Sequence, residues 1–228
     1  MKHILLILVA FCYTTSQSQE INALDSQGKR HGKWLKKYDG SDQVRYEGTF
    51  DHGKEVGKFK FYKPSSGDQP TAVKLFSKAH DTATITYYTS KGKIVSEGKM
   101  VQKERTGTWK YYHQDGVTLM MTENYIDGQL TGDQTTFFEN GKPAEKKSFV
   151  DGKENGRRLV YLETGKLIKD ISFVNGKQHG PAKYYEKDGS LKIEGTYKNN
   201  RKYGVWKYYN NGTLVEEKIF PVNRKSSK

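Results

Sequence analysis

The chain has 228 residues, enough for one or two ordinary domains, yet only 34% of them are hydrophobic and 29% are charged, which excludes a thick apolar core. Its 16 Tyr, 10 Phe and 3 Trp equally exclude a disordered polymer, because disordered segments are poor in rings. A thin fold with regularly spaced aromatics satisfies both facts, and the formal net charge of +13 favours anionic partners or surfaces.

In chain order, residues 1–18 read as a secretory signal. Lys2 and His3 give a basic start, residues 4–13 form an apolar run, and Ser16-Gln17-Ser18 puts small residues at the cleavage positions. Ten apolar residues are too few for a bilayer span, which takes about 20, so a peripheral protein is expected rather than a transmembrane one. Phe11 ahead of Cys12 does not suit a lipid anchor. The mature protein is expected to start near Gln19 and to be periplasmic, cell-surface-associated or secreted, with residues 19–220 as one repeat domain and 221–228 as a basic tail. Cleavage removes one lysine and no acid, leaving +12, and it removes Cys12, the only cysteine. Disulfides and thiolate metal sites are thereby excluded. Outside the inner membrane the charge points to an acidic protein, an anionic lipid or an envelope glycan. Nucleic acid suits the charge but not the compartment.

A repeat governs everything after the leader. Its marker is a glycine that opens each aromatic segment: Gly32, Gly57, Gly107, Gly132, Gly156, Gly180 and Gly204, with the last three steps each 24 residues. The fifty residues between Gly57 and Gly107 hold a hidden unit, in which Ala79 stands for Gly176, Ala83 for Gly180 and Tyr87-Tyr88 for Tyr184-Tyr185. Eight units result. Within each, a segment such as Gly107-Thr108-Trp109-Lys110-Tyr111-Tyr112 alternates large and polar residues, the signature of a half-buried strand. A turn follows (Asp115-Gly116, Asn140-Gly141, Asp188-Gly189, Asn211-Gly212) at residues that tolerate positive φ. The return strand carries pairs six residues apart, such as Ile94/Met100 and Leu191/Tyr197, on one face. A second turn (Asp127-Gly128, Asp151-Gly152, Asn175-Gly176, Asn199-Asn200) leads into the next unit. The predicted fold is all-β: an elongated antiparallel meander of about eight stacked β-hairpins of roughly 24 residues, sixteen strands spanning on the order of 75 Å at about 4.8 Å per strand. The polar connection over residues 63–70 and the missing glycines of the third unit predict the weakest packing, or a bend, near residues 63–86.

The Gly-x-Trp-Lys-x-Tyr-type strand, the Asn/Asp-Gly turn and the Gly-Lys-x-x-Gly connector at residues 28–32, 152–156 and 176–180 resemble the MORN-repeat family, and are most similar to its bacterial YwqK-like antitoxin variant. The resemblance covers residues 28–220. It implies a twisted sheet of hairpins serving as scaffold or binding surface. The MORN name further implies phospholipid contact, and the antitoxin label a partner toxin.

Catalytic chemistry is not expected. Residues 53–58 have three residues between their glycines where a phosphate loop has four, and Phe59 stands where Ser or Thr would follow the lysine. His31 and His179 share one repeat phase and read as turn residues, so no metal or other cofactor is expected. Glu97, Asp170, Glu194 and Glu217 recur among lysines and read as cross-strand charge partners. Trp34, Phe59, Trp109 and Trp206, with Tyr111, Tyr184 and Tyr208, are predicted to line the packed face. The rings of the other face (Tyr62, Tyr88, Tyr112, Phe137, Tyr185 and Tyr209), flanked by Lys110, Lys183 and Lys207, either stack on neighbouring units or form the candidate binding ribbon. The expected role is an exported, non-enzymatic scaffold for protein–protein interaction at the envelope. Binding of anionic lipid or glycan comes second, and neutralisation of a toxin third. The terminal strands leave edges open to self-association.

Overall fold

A computed structural model describes residues 20–77 and 82–221 and shows a single open sheet of seventeen antiparallel strands, with no helix among the described residues. The strands are β1 (Gly32–Lys37), β2 (Val44–Asp51), β3 (Lys54–Phe61), β4 (Ala72–Phe76), β5 (Thr82–Tyr88), β6 (Ile94–Val101), β7 (Glu104–Tyr112), β8 (Leu119–Ile126), β9 (Gln129–Leu130), β10 (Gly132–Phe137), β11 (Pro143–Val150), β12 (Lys153–Tyr161), β13 (Leu167–Val174), β14 (Lys177–Tyr185), β15 (Leu191–Lys198), β16 (Arg201–Asn210) and β17 (Thr213–Phe220). Both β9 and β10 pair with β8, through Tyr125↔Leu130 and Thr135↔Thr122, so they are two pieces of one strand interrupted at Thr131. The meander therefore has sixteen strand positions and eight hairpins, as the repeat phasing predicts. The leader residues 1–18, Ala79 and tail residues 222–228 lie outside the described residues.

Two kinds of turn alternate. Between units, both central residues are left-handed, as at Asp151-Gly152 (φ 50° and 73°) and Asn199-Asn200 (φ 51° and 65°). Asn200 thus occupies the position glycine holds elsewhere, which its short side chain allows. Within units, only the glycine is left-handed in three of the four Asx-Gly turns: Gly116, Gly141 and Gly189, but not Asp115, Asn140 or Asp188. There the Asx side chain acts as an acceptor instead; Asp115 takes the backbone N–H groups of Val117 and Thr118, each at 2.9 Å.

The marker glycines make bulges. Glu97 pairs with Lys110 and Lys99 with Thr106, so Gly98 alone faces residues 107–109, and Gly107 absorbs the extra length at φ 65°. A left-handed bulge residue carries a steric penalty unless it is glycine. The third unit supplies the control. With Ala83 at the marker phase, β4 and β5 run from Ala72↔Tyr87 to Phe76↔Ala83 without a register shift. That unit still buries Ala83 and Ile85, while its strand β4 has only five residues and leaves Leu75 exposed.

The core is a stripe along one face. Phe59, Ile85, Trp109 and Trp206 are fully buried, with Phe50, Ile171, Phe173 and Ala182 beside them, and Trp34, Tyr111, Tyr184 and Tyr208 half-buried. A cation lies over several of these rings: Arg105 is 4.2 Å from the Trp109 centroid and Lys202 is 4.3 Å from that of Trp206. A sheet without a second layer covers its rings with the stems of its own long basic residues.

Candidate functional site

The other face carries a cross-strand arrangement that recurs seven times along the sheet. Seven cross-strand pairs hold one spacing, thirteen residues apart, and an aromatic two residues further on: Glu47/Lys60/Tyr62, Val73/Thr86/Tyr88, Glu97/Lys110/Tyr112, Thr122/Thr135/Phe137, Lys146/Leu159/Tyr161, Asp170/Lys183/Tyr185 and Glu194/Lys207/Tyr209. Paired residues share a face, so in the four pairs that join Glu or Asp to Lys, acid, base and ring stand together on the side away from the tryptophans. This is where the structure places Tyr62, Tyr88, Tyr112, Phe137, Tyr185 and Tyr209, all half-buried, together with Lys110, Lys183 and Lys207.

Where the acid is Glu, the phenol is tied to it. Tyr62 donates to Glu47 at 2.8 Å, Tyr112 to Glu97 at 2.6 Å and Tyr209 to Glu194 at 2.7 Å. Lys60 also donates to Glu47, at 2.7 Å, and this bond with that of Tyr62 holds the Glu47 carboxyl below its usual range. Burial, helped by the bond to Glu97, pushes the Tyr112 phenol up to about 12. Further along, Lys183 reaches Glu194 and Lys207 reaches Glu217, each at 4.0 Å, and Arg157 forms a bidentate pair with Asp170. Asp170, Glu194 and Glu217 therefore hold cross-strand charge partners, as read from the sequence, whereas the bonded partner of Glu97 is the Tyr112 phenol.

Two shallow depressions open on this face at the same repeat phase. One, of 270 Å³, lies among Lys33, Lys58, Lys60, Glu47 and Gly48; the other, of 210 Å³, lies among Lys183, Lys207, Glu194, Gly195 and Val205. Their floors are the glycines whose far side supports a buried ring. The missing Cβ atoms of Gly48 and Gly195 would point away from these depressions, toward Phe59 and Trp206. A larger open hollow of 710 Å³ at the turns borders Tyr112, His113, Asp115 and Met120, but its Asp115 is already engaged within its turn.

On the packed face, one polar network stands out. Glu123 is buried and accepts from Tyr111 (2.5 Å), Tyr125 (2.6 Å) and Gln134 (2.8 Å), while Arg105 donates to both phenols. These bonds close on one another beneath the Arg105–Trp109 stack, which makes the cluster a support for the ring stripe. Elsewhere, His31 has His52 as a ring neighbour, with centroids 4.8 Å apart.

Buried apolar side chains thus line one face of the sheet, and the seven cross-strand pairs, four of them acid–base, line the other at intervals of 24–26 residues. Residues 130–151 and 178–199 match the MORN repeat variant. Both matches are 22 residues long and their starts lie 48 residues apart, two periods of the repeat. The first covers β10 and β11, the second nearly all of β14 and β15, so each MORN match is one hairpin. A search of curated proteins found no match to the chain. No helix among the described residues is long and apolar enough to cross a membrane.

Proposed function

We propose that the protein is an exported, non-enzymatic repeat scaffold whose tyrosine-bearing face binds another protein at the cell envelope. The observation that carries this reading is the mixed charge of that face. Lysines alternate with glutamates that their own neighbours and the phenols engage, so the surface offers ordered donors, acceptors and ring edges instead of one uniform positive field. Protein interfaces use such mixtures of tyrosine with satisfied polar groups. The reading of residues 1–18 as a secretory leader supports placement outside the inner membrane, and the net charge of +13 supports an acidic partner.

A second reading, binding of anionic lipid or glycan, draws on the depressions flanked by Lys33, Lys58 and Lys60 and by Lys183 and Lys207. One experiment compares them: the wild type and the Lys110→Glu/Lys207→Glu variant are crosslinked in envelope fractions and sedimented with phosphatidylglycerol vesicles at low and high salt. A discrete crosslinked protein partner lost in the variant, with no vesicle binding, supports the first reading. Salt-sensitive vesicle binding lost in the variant replaces it with the second. N-terminal sequencing of the mature chain checks export, with a start near Gln19 expected and a start at Met1 in the cytoplasm rejecting it.

A further inference from the structure

We propose that His31, Asp51 and His52 form a binding site for a divalent cation of the zinc class. One ligand atom from each lies within 4.8 Å of the others. The Nδ1 of His31 is 3.7 Å from Asp51 Oδ1, and the Nε2 of His52 is 3.9 Å from that oxygen. A tetrahedral zinc ion with bonds of about 2.0–2.2 Å sets its ligand atoms about 3.3 Å apart. Closing these gaps takes rotation of side chains that are 48%, 57% and 67% exposed for His31, Asp51 and His52, and ligation through His31 Nδ1 would replace the bond it accepts from the His52 backbone N–H at 3.4 Å. Two imidazoles and one carboxylate leave a fourth position to water, the donor set zinc takes in open sites.

A second observation points the same way. The Nδ1 of His52 is 2.7 Å from Asp25 Oδ2, and Asp25 Oδ1 accepts the backbone N–H groups of Gln27 and Lys29, each at 2.9 Å. Asp25 is thus fixed, its side chain only 8% exposed, and it fixes the proton of His52 on Nδ1. That leaves the Nε2 lone pair turned toward Asp51. A carboxylate on the far nitrogen is the usual orienting partner of a metal-binding imidazole.

The repeat itself shows that this is a departure. At the phase of Asp51-His52 the other turns carry Val101-Gln102, Ile126-Asp127, Val150-Asp151, Val174-Asn175 and Lys198-Asn199. His52 holds φ 46°, a left-handed position that Asn, Asp and His tolerate better than most residues. The turn comes against His31 because Gly53 N–H donates to Arg30 C=O at 2.8 Å. The equivalent bond, Asn200 N–H to Gln178 C=O, sets His179 beside Lys198-Asn199, where no second imidazole or carboxylate awaits it.

The test is calorimetric titration of Zn²⁺ into the untagged mature protein at neutral pH in a non-chelating buffer. One saturable equivalent is expected. His31→Gln and His52→Gln should each weaken binding at least about tenfold, Asp25→Asn about tenfold, and His179→Gln not at all. Gln at position 52 is compatible with the turn, since Gln102 already holds φ 55° at the same phase. Imidazole NMR signals of the wild type give a readout independent of the variants, with two histidine rings expected to shift together at one equivalent. Absence of saturable binding, or binding untouched in the His31→Gln/His52→Gln double variant, overturns the proposal.

Discussion

A Cβ atom added to Gly98 would lie 2.4 Å from Cδ2 of Trp109. The same relationship joins Gly48 to Phe59 at 2.4 Å and Gly195 to Trp206 at 2.3 Å. Under each of the three fully buried rings, Phe59, Trp109 and Trp206, the preceding strand is bare at the point where the ring lies. Where the ring is replaced by Ala182, its partner is Ile171. In that hairpin the preceding strand supplies the apolar volume instead.

Gly98→Ala and Gly195→Ala should therefore each destabilise the protein by about 3 kcal/mol, at the upper end of overpacking costs. Thermal or urea unfolding measures this. Combining Gly98→Ala with Trp109→Ala should cost less than the sum of the single changes, because the second removes the clash made by the first. Strict additivity would mean the ring does not rest on the glycine.

The two faces should separate under mutation. Trp109→Ala and Trp206→Ala remove fully buried rings and should cost about 3–5 kcal/mol each. Tyr112→Phe and Tyr209→Phe keep the ring and lose only the bond to Glu97 or Glu194, an expected loss of about 1 kcal/mol. Partner binding, measured on the same four variants, should fall for the tyrosine changes without a matching fall in melting temperature. If binding holds while the tyrosine variants melt as early as the tryptophan variants, the second face is structural.

Alkali should unfold the protein through its phenols. An exposed tyrosine titrates near 10, whereas burial and the Glu97 bond raise Tyr112 to about 12, and Tyr62, Tyr111 and Tyr184 are raised in the same direction, mainly by burial. A folded pKa above the unfolded one means that the folded state binds more protons. The stabilisation is then fully present below pH 10 and is lost as pH rises from 10 toward 12. Absorbance at 295 nm with circular dichroism should show these rings ionising together with unfolding. Titration near pH 10 while the sheet stays intact would contradict the phenol–carboxylate bonds.

Whole periods should be removable. Deleting residues 155–178 joins Glu154 to His179, so that the start of β12 continues into β14 in the same phase. Neighbour-only contacts make stability a sum over units and their interfaces, and the shortened protein should fold with a lower melting temperature. Deleting only residues 155–166 removes most of one strand and reverses the chain relative to the sheet. Its product should not fold. The opposite ranking by circular dichroism would reject the eight-hairpin parsing.

Turn chemistry and side-chain alternation are local properties, and they were legible in the sequence residue by residue. Asp151-Gly152 and Asn199-Asn200 can form few other turns, and the strand after Gly107 can bury Trp109 only by exposing Lys110. From these followed the all-β class, the eight hairpins, the ring stripe and the face on which Tyr112 and Lys110 stand. Even the hidden third unit was readable, because phase survives the loss of its glycines.

What the tertiary structure decided were relations across strands, whose distances depend on register and bulge. The eleven-residue step from Gly98 to Trp109 becomes a van der Waals contact only because the bulge at Gly107 sets one residue against three. The tie from Tyr112 to Glu97 likewise needs the strand pairing that puts Glu97 opposite Lys110. Asp25, His31 and His52 are spread over 28 residues and carry no spacing motif. They meet because the segment before β1 and the turn between β2 and β3 are hydrogen-bonded through Gly53 and Arg30. A periodic sequence specifies which face each side chain takes. Which side chains then touch is set by pairing between strands, where a shift of one residue would send every partner to the other side.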